Sequence, residues 1–380
     1  MSGTAIAPEP PGVEAAGARD LEVHQFVPTL LARDAVGNHV LRTAHDLAAL
    51  GAESRIWTGF IHPSLARRAR PWQRFERARP RRGRRRLLLY QAASYSGGLA
   101  DYLGEREEPA VVSYHNLTPE GFLAPYDGQA AHEMGLARAE LRRLVAGTPV
   151  AVAASEFNAV DLREMGARRV HVIPPYLGPA FRGQPDRGTL DRLRSTRRGI
   201  DLLFVGRLSP NKGHADLVRL MAMIRAGIDP HARLFLVGSP GPRLYMNWLA
   251  LVIERLAPES VVLTGPVPDT ALAAYYAHAD VFVCLSNHEG FGIPLVEAMR
   301  ARVPVLAYDA GAVSETLAGA GALVRTRDPA VLAELVGRLA GDAELRDEMV
   351  RRQLVRAAEI ESFPRGPALV AALLDALEAA

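Results

Sequence analysis

The sequence predicts an α/β protein made of two doubly wound αβα domains, and three observations carry that expectation. The chain has 380 residues, too many for one ordinary core and suited to two domains of about 150–200 residues each. Short apolar, β-branched runs alternate with stretches of helical period, the pattern of a mostly parallel sheet covered on both faces. A proline-rich stretch with Pro174, Pro175, Pro179 and Pro185 separates two such series.

Residues 1–20 are rich in Pro, Gly, Ala and Glu and read as a disordered N-terminus, with no apolar run that fits a signal peptide. Leu21–Val27 reads as the first strand, ending at Pro28. Leu30–His39 reads as a loop. Val40, Leu41, Ala44, Leu47, Ala48 and Leu50 then set a helical period that Gly51 closes. Strands at Ser54–Gly59, Leu87–Gln91, Ala110–Tyr114, Val150–Ala154 and Val170–Ile173 complete a first domain over 21–178. A linker with a short helix occupies 179–199. The second domain, 200–362, has strands at Asp201–Val205, Arg233–Val237, Val261–Thr264, Val281–Leu285, Val303–Ala307 and Ala322–Val324. Helices near Ala215–Ala226 and Leu244–Leu256 lie among them. A last helix, Pro367–Ala380, falls in 363–380. Two such domains are expected to face a central cleft at the carboxyl ends of their strands, where ligands bind in these sheets.

Composition narrows the function. With 48% hydrophobic and 23% charged residues the chain reads as a soluble enzyme, and a net charge of only +3 argues against a dedicated nucleic-acid binder. A lone cysteine, Cys284, forms no internal disulfide and points to a reducing cytoplasm. No apolar run reaches the roughly 18 residues of a membrane span. Charge is concentrated in one place: Arg67 to Arg86 holds eleven arginines and one acid, Glu76, with Trp72 and Phe75 among them. The simplest reading is a solvated, mobile loop. The alternative is a surface for anionic lipid at the inner membrane face, a phosphorylated acceptor or nucleic acid.

Two motifs carry chemistry. In His288–Met299, H-E-G-F-G-I-P-L-V-E-A-M, a strand ends in a glycine-punctuated turn and Pro294 suits the first turn of a helix. That helix N-terminus offers unpaired N–H groups to an anion. Glu289 and Glu297 beside it suit vicinal hydroxyls of a ribose or a sugar ring, which donate to a carboxylate; for Glu297 alone, complementing the helix dipole is the plainer role. In Phe204–Gly213, F-V-G-R-L-S-P-N-K-G, a strand delivers Gly206, then Arg207 and Lys212, two cations placed to bracket a diphosphate. Lys212 is the only lysine among 45 basic residues.

These segments resemble the large retaining glycosyltransferase family four, which includes phosphatidylinositol mannosyltransferases and sucrose and trehalose phosphate-type synthases. The resemblance runs from about residue 21 onward. It implies two Rossmann-like domains in a GT-B fold, a nucleotide-sugar donor held mainly by the second domain, and transfer with retention. It also implies that Arg207 and Lys212 clamp the diphosphate, that Glu297 takes the ribose hydroxyls and that Glu289 takes hydroxyls of the donor sugar. The backbone of Gly290, Phe291, Gly292 and Ile293 would lie along phosphates and sugar. Thr264–Pro268, with Gly265 and Val267, would read the base edge through its main chain. In the first domain, His115 would sit near the transferred sugar and Gly37 would approach the phosphates. Val36 stands where the family usually has a second glycine, and Pro174–Gly178 replaces a more usual Asn-Gly turn. The last helix would cross back to brace the first domain. No cofactor and no metal are expected, since no Asp-x-Asp occurs in the chain. A nucleotide-sugar epimerase of the same fold and a basic membrane or nucleic-acid interaction protein are the alternative readings. A pyridoxal-phosphate phosphorylase is a poor one, because Lys212 would be its only possible Schiff-base lysine.

Overall fold

The alternation of short apolar runs with helices produces two all-parallel sheets in the computed structural model, which describes residues 15–32, 34–178 and 184–380. Part of the expected linker, residues 179–183 with Pro179, lies outside the described residues, as do residues 1–14. The chain forms two units. The first includes the chain up to Glu120, Gln129–Tyr176 and Phe363–Ala380; the second is Gly121–Gly128 and Leu177–Ser362.

In the first unit the strands are β1 (Leu21–Leu30), β2 (Glu53–Ile61), β3 (Ala69–Pro71), β4 (Arg85–Ala92), β5 (Ala110–Tyr114), β6 (Val150–Ala153) and β7 (Arg169–Val172). Their spatial order is 3-2-1-4-5-6-7. Both faces are dry because alternate residues of each strand point opposite ways. Leu88, Tyr90, Val112 and Tyr114 pack with Leu99, Leu141 and Leu144 on one face. Leu87, Leu89, Val111 and Val152 pack with Leu369, Val370 and Leu373 of the helix Arg365–Ala379 on the other.

Three expectations for this unit are corrected. β1 runs past Pro28 to Leu30, because its pairing with β4 ends at Phe26↔Tyr90 and only β2 accompanies it further. Proline lacks an N–H, which is tolerated in such a one-sided stretch. Ala15–Asp20 is a 3-10 turn rather than part of a disordered tail, with Ala18 buried beside Leu373. The arginine-rich segment is folded. It supplies the edge strand β3 and the 3-10 turn Trp72–Arg77, and Phe75 is buried against Phe26 and Trp57. Arg86 reaches the buried Glu22 at 3.3 Å, Arg84 donates to the Leu21 carbonyl at 3.0 Å, and Arg81 pairs with Glu53 at 2.7 Å. Spacing along the sequence does not reveal these partners, since they lie tens of residues away.

The second unit holds β8 (Asp201–Val205), β9 (Arg233–Val237), β10 (Val261–Gly265), β11 (Val281–Cys284), β12 (Val305–Tyr308) and β13 (Ala322–Val324). The order 10-9-8-11-12-13 is again doubly wound, with its switch point between β8 and β11. Leu202, Phe204, Leu236 and Val283 face one layer of helices, and Leu203, Phe235, Phe282 and Ala307 face the other. Residues 121–128, expected in the first domain, group here because the Tyr126 ring packs edge-on against Tyr245 and at a tilt against Trp248. The start of β8 is pinned by a buried carboxylate: Asp201 accepts from Arg233 at 2.7 Å and contacts His278 at 2.6 Å. These partners outweigh the burial penalty and hold the Asp201 carboxyl below its ordinary range.

Candidate functional site in the second unit

The two loops that leave β8 and β11 flank the switch point, and both expected motifs lie on them. The loops are stitched together. Asn287 N–H donates to the Asn211 carbonyl at 2.8 Å, and the Asn211 side chain donates to the His288 carbonyl at 3.4 Å. Ser209 Oγ donates to Asn211 Oδ1 at 2.7 Å, which fixes the orientation of that amide. Gly213, at φ +69°, turns the chain into the helix His214–Gly227, and a Cβ there would lie 2.0 Å from the Leu285 carbonyl oxygen. Only glycine fits that approach.

The two motifs meet at an ion pair. Lys212 Nζ donates to Glu289 Oε1 at 2.8 Å, with side chains 21% and 12% exposed, so the pair is partly shielded yet open to a ligand. Arg207 is exposed, and among the described residues its guanidinium has no ion-pair partner. The Glu289 carbonyl is held from behind: Ala312 N–H donates to it at 2.9 Å, and Gly311 (φ +60°) leaves room where a Cβ would stand 2.3 Å away. Gly206 and Gly238 permit a similar contact, since a Cβ on Gly238 would lie 2.0 Å from the Gly206 carbonyl oxygen. Gly311→Ala is expected to destabilise the fold by about 1–3 kcal/mol through backbone strain and collision. Gly227→Ala, in open space at a helix end, is expected to stay within about 0.5 kcal/mol. Urea unfolding of both variants checks this, and equal stability of the two would contradict it.

Gly292 (φ +85°) leads into the helix Ile293–Arg300, whose N-terminus has Pro294 and no side-chain cap. Orphan N–H groups at such an end suit an anion. Gly290 precedes this turn, while Phe291 is buried and its carbonyl accepts from Thr316 Oγ1. Gly265 (φ +69°) and half-buried Val267 form the turn after β10; the Gly265 carbonyl already accepts from Gly238 N–H at 3.2 Å.

Glu297 is more enclosed than expected. It is only 6% exposed, with Oε2 accepting from the buried Tyr276 hydroxyl at 3.0 Å. Burial pushes its carboxyl up to about 7, against a smaller opposing effect of the Tyr276 hydrogen bond. Cys284 ends β11 as a buried thiol, pushed by burial up to about 11, and is not a nucleophile in this state.

The expected first-unit residues are His115 and Gly37. His115 is half-buried after β5, its Nε2 2.7 Å from Gln91 Oε1, and burial lowers it to about 4, so it is neutral at pH 7. Gly37 is corrected. Its expected loop is the first turn of the helix Ala35–Ala49; its N–H donates to Asp34 Oδ2 at 3.0 Å, and its missing Cβ makes room for the Leu31 carbonyl. Packing and capping account for this glycine without a phosphate.

Sequence reading missed Asn211, Tyr276, Gly311, Thr316 and Arg327. Arg327 donates to Asp216 at 2.6 Å and to the Leu285 carbonyl at 2.9 Å, with its guanidinium 3.8 Å from the centre of the Tyr308 ring. Only Gly311 had a visible signal, the Asp-Ala-Gly turn after a predicted strand.

Two doubly wound α/β units, one with cations, carboxylates and an uncapped helix N-terminus at its switch point, are the units of a GT-B fold. Residues 192–354 match the family described as glycosyl transferases group 1. Over 207 residues the chain is 33% identical to a D-inositol 3-phosphate glycosyltransferase of Acidothermus cellulolyticus, covering 52% of this chain and 46% of that protein. The chain spans about half the length of the curated relatives it matches. By fold it resembles a sucrose-phosphate synthase from Thermosynechococcus elongatus, with a TM-score of 0.72 and 19% identity over 94% of this chain and 99% of that one. It also resembles the Anabaena protein HepE, solved with UDP and glucose, with a TM-score of 0.67 and 18% identity over 93% of this chain and 99% of that one.

Proposed function

We propose that the chain is a retaining glycosyltransferase that moves a hexosyl-type sugar from a UDP- or GDP-linked donor to an acceptor. The observation that carries the reading is the Lys212–Glu289 pair at the switch point of the second unit, with exposed Arg207 on the same loop as Lys212. Lys212 and Arg207 would face the diphosphate, with Glu289 on the sugar hydroxyls and Glu297 on the ribose. As the bond from the anomeric carbon to the diphosphate oxygen breaks, negative charge gathers on the leaving phosphate and the sugar becomes oxocarbenium-like. Fixed cations and helix N–H groups stabilise that charge, and the phosphate takes the proton of the incoming acceptor hydroxyl on the same face. The test is release of nucleoside diphosphate from a panel of nucleotide sugars, with the anomeric configuration of the product read by NMR. Retention supports the proposal; inversion contradicts it, and an epimerised nucleotide sugar without diphosphate release would replace it with the epimerase reading.

Metal is not needed in this scheme, because Arg207, Lys212 and the helix N-terminus neutralise the diphosphate. Turnover is expected to survive exhaustive EDTA treatment. Loss of activity that magnesium or manganese restores would refute this.

The arginine segment supports a second element of the proposal, contact with an anionic membrane surface. Eight of its eleven arginines, including Arg67, Arg68, Arg70 and Arg74, are exposed and make no ion pair among the described residues. No helix among the described residues is long and apolar enough to cross a membrane, so this contact would be electrostatic. Each charge near such a surface is worth about 1 kcal/mol. Changing Arg67, Arg68, Arg70 and Arg74 to Gln, while keeping the structural Arg84 and Arg86, is expected to abolish sedimentation with phosphatidylglycerol vesicles and to leave donor turnover unchanged. Equal vesicle binding by the variant would count against the contact.

A further inference from the structure

On one face of the first sheet, apolar positions give way to polar ones toward the carboxyl ends of the strands. Val23 is followed by Gln25, Leu87 and Leu89 by Gln91, and Val111 by Ser113. Gln25 and Gln91 are fully buried in the centre of a parallel sheet. An apolar side chain is the ordinary occupant there, and an amide is tolerated only when its hydrogen bonds are made. These two are joined in a chain with one direction. Gln25 Nε2 donates to Ser54 Oγ at 3.0 Å and lies 3.4 Å from the Val40 carbonyl. Its other end, Oε1, accepts from Gln91 Nε2 at 3.0 Å. That leaves Gln91 Oε1, an acceptor only, 2.7 Å from His115 Nε2.

We infer that Gln91 is a positioning residue for His115, held in its working orientation by Gln25, so that the imidazole carries its proton on Nε2 and keeps the Nδ1 lone pair as an acceptor. The reasoning is a matter of donors and acceptors. The Val40 carbonyl accepts only, so the Gln25 amide must turn its NH₂ toward it. The Gln91 amide must then turn its NH₂ toward Gln25, and the ring must bring an N–H to Gln91. A neutral ring so locked takes a hydroxyl at Nδ1 and disfavours an anionic oxygen there. The partner that suits this nitrogen is a hydroxyl donor. His115 lines a small cavity with His39, Thr43, Tyr176 and Arg365. The His39 ring stands edge-on at 4.6 Å, and buried Thr43 Oγ1 and His39 Nδ1 have no hydrogen-bond partner among the described residues. Those unmet polar atoms give a hydroxyl further partners.

The structural part stands by itself, while an effect on turnover rests on the glycosyltransferase reading. The test is a long-range ¹H–¹⁵N spectrum of the histidine-labelled full chain, with His115 assigned through His115→Gln. In the wild type a neutral ring protonated on Nε2 is expected from pH 5.5 to 8. Gln91→Glu places a carboxylate against the Nε2 proton and is expected to raise the His115 midpoint by at least one pH unit. Gln91→Leu should mix the two tautomers, and turnover should fall about 10²-fold if His115 acts at the reacting sugar. A wild-type ring protonated on Nδ1, or an unchanged His115 midpoint in Gln91→Glu, overturns the inference. That wild-type measurement needs only His115→Gln to fold, for the assignment, and neither Gln91 variant. Should His115→Gln keep full turnover while the wild-type tautomer is as stated, the positioning stands and the catalytic part of the reading falls.

Discussion

Lys212→Ala is expected to lower turnover by about 10²–10³-fold, the scale seen when one charge-stabilising donor is lost. The change removes a cation and also leaves Glu289 without its 2.8 Å partner, so the donor-sugar contact loosens together with the diphosphate clamp. Lys212→Arg is not expected to rescue fully. The lysine closes the 3-10 turn Pro210–Lys212 just before left-handed Gly213, and a planar guanidinium does not replace a compact ammonium there. The composition provides a second test. Lys212 is the only lysine, so an amine-selective reagent has no other side-chain target. Modification mapped to Lys212 is expected to inactivate, and nucleoside diphosphate to protect. Full activity after complete modification would remove Lys212 from the site.

Glu297→Gln is expected to separate stability from binding. The folded carboxyl is pushed up to about 7 from an ordinary 4.5, so the fold favours its protonated form. A raised value contributes stability that is complete below about pH 4.5 and is lost as pH rises through 7. The loss reaches at most about 3 kcal/mol. Glutamine is neutral throughout and still accepts from Tyr276. The ligand-free variant is therefore expected to be more stable than the wild type at pH 8, by about 1–3 kcal/mol, and nearly equal at pH 5. Nucleotide affinity is expected to fall about tenfold or more, because hydrogen bonds to a charged acceptor are stronger than to a neutral one. Denaturation midpoints at the two pH values check the first part. A variant less stable at pH 8 would mean that Glu297 is a core anchor. Glu297→Ala is a blunter probe, since it opens space under Tyr276 and removes that hydroxyl's acceptor.

Much of the second unit was legible because its signals are local. Asp201–Val205 and Arg233–Val237 are bounded by turns and read as strands without knowledge of their neighbours. The two site motifs are contiguous, and their glycines mark the turns that bring Lys212 to Glu289. What stayed hidden depends on long-range contacts. Glu297, one turn into its helix, looks like a surface carboxylate until Tyr276, on another helix, is seen to cover it. Arg84 and Arg86 look like members of a charge run, yet their partners Leu21 and Glu22 are more than sixty residues away. Gly37 was misplaced for a different reason. Asp34 is an N-cap signal three residues before it, but a glycine in the first turn reads as loop and hid the helix start.

The central claim is that the second unit holds a nucleoside diphosphate through the Lys212–Glu289 site, and thermal denaturation of the full chain in EDTA tests it most directly. UDP, GDP, ADP and TDP would each be titrated against wild type and Lys212→Ala. One of them is expected to raise the wild-type midpoint by several degrees at saturation, since a ligand at a hundred times its dissociation constant adds about 2.7 kcal/mol. The variant should show little or no rise at the same concentration. A wild type that none of the four stabilises, or a variant stabilised as strongly as the wild type, would contradict the account.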